Sequence, residues 1–162
     1  MSAAARLRAA VERATPRLLA LGDAAAGTPP APGKWSPKEV IGHLIDSASN
    51  NHGRFVRAQF TDDLVFAGYE QERWVDVQRY ADAAWADLVA LWRGFNLHIA
   101  RVMANTPDAI ARAPRANHNL DEIAFRTVPL SQPATLEYFM ADYVDHLEHH
   151  LAQIFPRDTM AP

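Results

Sequence analysis

The sequence predicts an all-α protein that folds as a four-helix bundle. Four segments of roughly twenty residues carry apolar side chains at the helical period. Stretches rich in proline and glycine separate these segments, while strand signals are scarce and no long repeat is visible. Four amphipathic helices of this length are typical of a bundle, so we expect residues 1–162 to form a single domain.

The first two helices have clear boundaries. The first is expected from about Ser2 to Leu21, and Pro16 is a candidate kink site within it. A loop over residues 27–33 follows, and the second helix is expected to continue to about Phe60. Its start is marked by a capping pattern, with an N-cap, a proline at the first helical position and an acidic residue closing the box: Ser36, Pro37 and Glu39.

The third helix is predicted from about Ala83 to Asn105 and the fourth from Thr135, its N-cap, to the helix-ending Pro156. A short helical turn is expected near Trp74. Residues 107–133 are polar, contain several prolines and show little periodicity. A connection this long in a compact domain is usually functional or ordered by short elements, and its role stays open.

Composition excludes several classes of function. A net charge of −3 gives no reason to expect nucleic acid or an anionic membrane as a partner. The chain contains no cysteine, which excludes disulfides, thiolate metal ligands and a cysteine nucleophile, so any thiol must come from outside. No signal peptide and no apolar run of 18 residues is visible, and a cytoplasmic location is expected by default.

The fourth helix carries the strongest candidate for chemistry. His146 and His150 are four residues apart, so their imidazoles project from one helix face and could hold one cation. Both lie on one flank of the apolar stripe, where a polar side chain needs a partner. A metal or hydrogen bonds would each supply that partner.

The second helix offers a third ligand. His43 lies at the edge of the apolar stripe of that helix, and a bundle brings facing helices to 8–10 Å between axes. His43 would then meet His146 and His150 in a three-nitrogen metal site with open positions for water or substrate. The alternative is that His43 is hydrogen-bonded to a carbonyl group or to water.

Neighbouring polar residues receive secondary roles. Asp46, Ser47 and Asn50 are close enough in sequence to orient the ring of the second-helix histidine, and Asp46 is the best candidate for a general base. His52, His98, Ser47 and Asn50 are candidates to line the pocket, with core or interface packing as the alternative for the two histidines.

Other polar and aromatic residues are interpreted more simply. Arg54 and Arg57 are expected on a solvated helix face, with an anion contact as the alternative, and His118 is expected to be solvated in the long loop. Four aromatic residues are expected to cover the bundle ends and core or, alternatively, to line a pocket: Trp35, Tyr69, Trp74 and Tyr80.

Two motifs resemble a known family. The segment from Trp35 to Ser47 resembles the W-S-x-x-x-x-x-x-H-L-x-D-S signature of DinB-like (YfiT-like) four-helix proteins. The segment from Asp142 to His150 resembles the H-x-x-x-H helix of the same family. The motifs lie about a hundred residues apart, and the resemblance covers essentially the whole chain.

The resemblance implies a bundle of up-down-down-up topology, often dimeric, with zinc or nickel bound by His43, His146 and His150. Characterised relatives include S-transferases and isomerases that use low-molecular-weight thiols such as mycothiol or bacillithiol, and many others are labelled only as metal-dependent hydrolases. The resemblance therefore implies a metal-dependent enzyme for a small-molecule substrate, either a thiol-dependent S-transferase or a hydrolase. The alternatives are a non-catalytic bundle that binds a metal or small ligand, and a metal-free structural bundle.

Overall fold

The computed structural model describes residues 1–155, and their regular elements are helical. In chain order these helices are α1 (Ala3–Leu21), α2 (Asp23–Ala26), α3 (Pro37–Arg57), α4 (Gln71–Gln78), α5 (Trp85–Asn105), α6 (Asp108–Ala111), α7 (Leu120–Ile123) and α8 (Leu136–Ile154), with a 3₁₀ turn at Tyr80–Asp82. The four long helices, α1, α3, α5 and α8, are those that the sequence predicts. Pro156, expected to end the last helix, lies outside the described residues, and α8 ends at Ile154.

Side-chain caps explain where two of the long helices begin. The Ser36 backbone N–H donates to Glu39 Oε2 at 2.7 Å, while the Glu39 backbone N–H donates to Ser36 Oγ at 3.4 Å. This capping box satisfies two amide groups that the first turn of α3 leaves free. Thr135 Oγ1 accepts a hydrogen bond from the Tyr138 backbone N–H at 3.1 Å and caps α8 in the same way.

Helix α5 is antiparallel to α1 and parallel to α3. At its start, Trp85 Nε1 donates to the carbonyl oxygen of Leu18 near the end of α1, at 2.7 Å. Asp23 accepts a hydrogen bond from the Trp85 backbone N–H and also pairs with Lys38, so the starts of α3 and α5 lie together. Parallel neighbours need a long connection, and residues 58–84 provide it.

Helix α8 is parallel to α1. Arg6, near the start of α1, pairs with Asp145 at 2.7 Å, and Arg17, near the end of α1, lies over the ring of Phe155 at 4.2 Å. The earlier residue of α1 contacts the earlier residue of α8 and the later residue contacts the later one, so the two helices run in the same direction.

Helix α8 is antiparallel to α3. The His43 ring lies 4.6 Å from the His150 ring, whereas Phe55, near the end of α3, lies 5.5 Å from Phe139, near the start of α8. The four long helices therefore have up-down-down-up topology, which confirms the predicted fold class. Among the described residues, no helix combines the length and hydropathy that crossing a bilayer requires.

Two local predictions were wrong. Helix α3 ends at Arg57 rather than near Phe60, because the backbone N–H of Phe60 bonds to the Arg57 carbonyl in a tight turn that leaves the Phe60 side chain exposed. His118 is buried rather than solvated. Its Nε2 lies 2.7 Å from the Gln132 carbonyl oxygen, and its Nδ1 accepts a hydrogen bond from the Leu120 backbone N–H. These two hydrogen bonds join residues of the long loop, 107–133, to one another and so help to order it.

Candidate metal centre

Three histidines from two helices converge at one point of the bundle. His43 of α3 and His146 and His150 of α8 each offer one ring nitrogen, and these nitrogens lie within 4.8 Å of one another. The Nε2 atoms of His43 and His146 are 3.2 Å apart. The spacing on α8 and the antiparallel crossing with α3 bring together the three residues that the sequence singles out.

The environment keeps these imidazoles neutral. Burial, followed by the charge of His150, lowers the pKa of His43 to about 4. Burial is also the largest cause for His146, whose pKa falls to about 3 with the other histidines contributing. Burial lowers the pKa of His150 as well, although a hydrogen bond with Gln153 opposes this. A neutral imidazole is the form that binds a metal.

The donor set fits a divalent metal ion. A hydrogen bond between His43 and His146 satisfies only two of the three converging nitrogens, and which of them carries the proton depends on the tautomer. His150 Nδ1 lies 3.1 Å from Gln153 Oε1, and a proton shared there leaves its Nε2 free to accept. Three imidazoles without a thiolate or carboxylate suit ions such as zinc, nickel or copper.

His146 and His150 line a cavity of about 330 Å³ between α3 and α8, whereas His43 is buried behind them. One wall belongs to α8 and includes Asp142, Tyr143, His146 and His150. The remaining walls come from α3, from the segment after it and from the long loop: Ser47, Asn51, Arg54, Tyr69, Gln71, Glu122, Ile123, Ala124 and Phe125. Both long connecting segments therefore contribute residues to the cavity wall.

Asp142 holds the loop wall in place. Its two carboxylate oxygens accept hydrogen bonds from the backbone N–H groups of Phe125 at 2.9 Å and Arg126 at 2.6 Å. Phe125 thereby lies against the rings of His146 and His149, at 5.6 and 5.1 Å between centroids. Burial raises the pKa of Asp142, and the two backbone bonds oppose that rise.

Asp46 forms its hydrogen bonds with residues other than His43. Its Oδ1 accepts hydrogen bonds from Tyr80 Oη and Gln78 Nε2, both at 2.7 Å, and its Oδ2 is buried without a partner. Nδ1 of His43 is likewise buried and unpartnered. The expected contact between Asp46 and His43 is therefore not formed, and Asp46 does not line the cavity. Its role as a general base stays a prediction.

Among the four predicted pocket residues, the structure places one in the cavity. Ser47 lines it, whereas Asn50 donates to the Asp46 carbonyl one turn back on α3. His52 follows His43 by nine residues, which is half a turn away around the helix axis. His52 therefore faces α5, where its ring lies 5.1 Å from that of His98. Neither histidine lines the cavity.

Several polar residues of the cavity were not among the predicted pocket residues, and Asn51, Arg54 and Asp142 are the three that the site depends on most. Arg54 was expected on a solvated face, but its relative exposure is 4 %. The helical period itself contained the signal, because Ser47, Asn51 and Arg54 follow His43 at steps of four, four and three residues. Asp142 gave no comparable signal, since its partners are backbone amides of a loop.

Comparisons with known proteins agree with this architecture. The sequence model of the DinB superfamily matches residues 6–154. A solved structure of YfiT from Bacillus subtilis, described as a probable metal-dependent hydrolase with an unusual four-helix bundle topology, superposes with a TM-score of 0.74. It shares 20% sequence identity, and the match covers 94% of this chain and 81% of the other. A search of curated proteins finds no match. Because the family model spans nearly all of the chain, this protein belongs to the DinB superfamily.

Proposed function

We propose that this protein is a divalent-metal-dependent enzyme for a small-molecule substrate, with His43, His146 and His150 as the metal ligands. The observation that carries the proposal is the convergence of three neutral imidazoles beside a cavity of about 330 Å³. A divalent ion in such a site supplies Lewis acidity and lowers the pKa of a water or thiol that it binds. The description of YfiT as a probable metal-dependent hydrolase supports the same class.

The residues around the ligands have separate tasks in this proposal. Trp35 packs on His43 at 5.3 Å between ring centroids, which restricts the motion of that ring. Gln153 orients His150 through its Nδ1. Phe125 covers His146 from the loop side and limits the access of water. Asp46 stays a candidate for a general base, and Tyr80 and Gln78 already occupy one of its oxygens.

We propose S-transfer from a low-molecular-weight thiol as the first activity to test and hydrolysis as the second. A thiol nucleophile would have to be a co-substrate, because the chain has no cysteine. In addition, His150 borders a second, more open groove of about 690 Å³ with Trp35 and Val40 in its walls. The histidine cluster therefore lies between the cavity and this groove, and each could admit one of two substrates.

Metal analysis tests the proposal directly. Untagged protein, purified without chelator or metal resin, is expected to contain about one equivalent of a divalent metal. His150→Ala is expected to lose that metal, whereas His149→Ala is the matched control, because His149 is exposed on the same turn and is not part of the converging set. Absence of metal from the wild-type protein, together with no uptake on addition, would contradict the proposal.

Activity measurements then separate enzyme from binding protein. Metal-loaded protein is assayed for conjugation of thiols to electrophiles and for hydrolysis of esters and amides, with His150→Ala as the blank. Turnover that disappears in His150→Ala supports the enzyme. Metal retention without turnover across both panels would favour the alternative of a non-catalytic bundle that binds a metal or a small ligand.

We also propose that the chain is one domain and forms a homodimer, which sedimentation would test.

A further inference from the structure

A buried polar stripe on α3 leads from the histidine cluster to Arg54. His43, Ser47, Asn51 and Arg54 share one helix face, and their relative exposures are 0, 3, 7 and 4 %. The last three line the cavity that His146 and His150 also line. Asn51 donates to Ser47 Oγ and accepts from Arg54, so these side chains form a hydrogen-bonded polar wall, and such a wall suits a polar ligand better than an apolar one.

Arg54 carries a buried positive charge without an acidic partner. Its Nη1 donates to Asn51 Oδ1 at 3.3 Å and its Nη2 donates to the Ala67 carbonyl oxygen at 2.6 Å, and both acceptors are neutral. Within residues 1–155, no carboxylate forms an ion pair with this guanidinium. Burial lowers the pKa of Arg54 from its ordinary value, yet an arginine stays charged at neutral pH. A buried cation of this kind favours an anion from outside.

Two other buried cations show what is distinctive about Arg54. Lys38 is neutralised by Asp23 at 3.0 Å. Arg115 has no carboxylate partner either, but it donates to two backbone carbonyls, those of Asp63 and Ile110, and so ties loop segments together. Arg115 does not line the cavity of the histidines. Arg54 is thus the arginine that combines an uncompensated charge with a place in the wall of the candidate metal centre.

We propose that Arg54 binds the carboxylate group of the substrate or thiol co-substrate whose reacting group lies at the histidine cluster. This inference rests on the proposed function and specifies its substrate class as a small carboxylate. The guanidinium fork matches a carboxylate with two parallel hydrogen bonds. Among the described residues that line the cavity, Arg54 is the one arginine or lysine, and Glu122 and Asp142 line the same cavity, so its guanidinium suits a monoanion better than a doubly charged phosphate.

The length of the stripe limits the ligand. Arg54 follows His43 by eleven positions, which places their Cα atoms about 16 Å apart along the helix axis. The Arg54 side chain points back toward Asn51, as its hydrogen bond shows, and so shortens the gap. The carboxylate therefore lies several bonds away from the reacting group of the ligand.

Matched pairs of ligands test the proposal. The probes are straight-chain ω-mercaptocarboxylates, from mercaptopropionate to mercaptooctanoate, each compared with its carboxamide by titration calorimetry on metal-loaded protein. At the best chain length the carboxylate is expected to bind wild-type protein about tenfold more tightly than the amide, which is about 1.4 kcal/mol. Equal affinities at every length would overturn the proposal, and so would tighter binding of ω-mercaptoalkyl phosphates.

Three variants assign the preference to one residue. In Arg54→Gln the ratio of carboxylate to amide affinity is expected to fall to about one, whereas the exposed Arg57→Gln, three residues further along α3, should keep the wild-type ratio. Arg54→Lys keeps the positive charge but loses the paired N–H donors of the guanidinium, and it replaces the glutamine variant if that variant does not fold. In Arg54→Lys the ratio of carboxylate to amide affinity is expected to fall severalfold. An unchanged ratio in the folded Arg54 variant would overturn the proposal.

Failure of this inference differs from failure of the metal centre. In His150→Ala, both the mercaptocarboxylate and its carboxamide should bind more weakly, because the thiol no longer finds a metal. The ratio of carboxylate to amide affinity should stay as in the wild-type protein. If wild-type protein contains no metal, the proposed function fails, and the same ratio measured on that protein still decides the role of Arg54.

Discussion

Replacing Asp142 with asparagine should release the loop wall of the cavity more than it unfolds the bundle. Asp142 uses both oxygens, toward the backbone N–H groups of Phe125 at 2.9 Å and Arg126 at 2.6 Å. Asparagine offers one acceptor oxygen, and its amide group then faces the second N–H with a donor. One hydrogen bond is lost, and leaving a buried donor unpaired costs about 1–3 kcal/mol.

Two effects reduce that cost. Burial raises the pKa of Asp142, so desolvation already opposes its charged form, and a neutral asparagine avoids that penalty. In addition, Phe125 is 43 % exposed, so the freed N–H can find water once the loop opens. We therefore expect a loss of about 1–2 kcal/mol of unfolding free energy. At about 2–4 °C per kcal/mol for a chain of this size, the melting temperature should fall by about 2–8 °C.

The assay compares local with global stability. Amide hydrogen exchange at residues 124–126 is expected to accelerate strongly in Asp142→Asn, while exchange in the middle of α8 changes little. Asp62→Asn, at an exposed position in a different loop, is the control and should change neither measurement. Unchanged exchange at residues 124–126, or a loss of protection spread evenly over the whole bundle, would refute this reasoning.

Three further predictions follow from the same contacts. A Cβ at Gly42 would overlap the ring of Tyr80, so Gly42→Ala should lower the unfolding free energy by about 1–3 kcal/mol in a denaturant titration; an unchanged midpoint would contradict the close packing. Gln153→Leu removes the partner of His150 Nδ1 and should weaken metal binding about 10–100-fold, measured by competition with a chromophoric chelator; equal affinity would show that Gln153 does not orient the ring. Chelation of the metal should lower the melting temperature of wild-type protein but not of His150→Ala, because a ligand about a thousandfold above its dissociation constant stabilises by about 4 kcal/mol.

Much of the fold was accessible from the sequence because its signals are local. The capping pattern at Ser36 and the N-cap at Thr135 are satisfied within the first turn of their own helices, so they mark boundaries whatever the helix packs against. The prediction for α3 failed at the other end, where no cap signal is present and the helix ends at Arg57. Helix ends without a local signal depend on how the chain enters the next segment.

The same distinction applies to the site. Helical periodicity placed His146 and His150 on one face of one helix and His43 at the edge of the apolar stripe of another, and the family resemblance implied the same three ligands. Asp46 shows the limit of this approach: it lies one turn from His43, but Tyr80, 34 residues away in the chain, reached its carboxylate instead. Proximity in sequence fixes which atoms are near one another on a helix, but not which neighbour from another segment binds them.

By itself, the sequence determined the four long helices, the family and the three histidines, because period, capping and motif spacing are properties of short segments. The tertiary structure alone decided that Arg54 is buried, that Asp142 anchors a loop and that Tyr80 bonds to the carboxylate of Asp46. A charged residue on a helix surface has the same local pattern whether water or another element covers it. Only the packing of distant segments removes the water and thereby turns a polar stripe into the wall of a site.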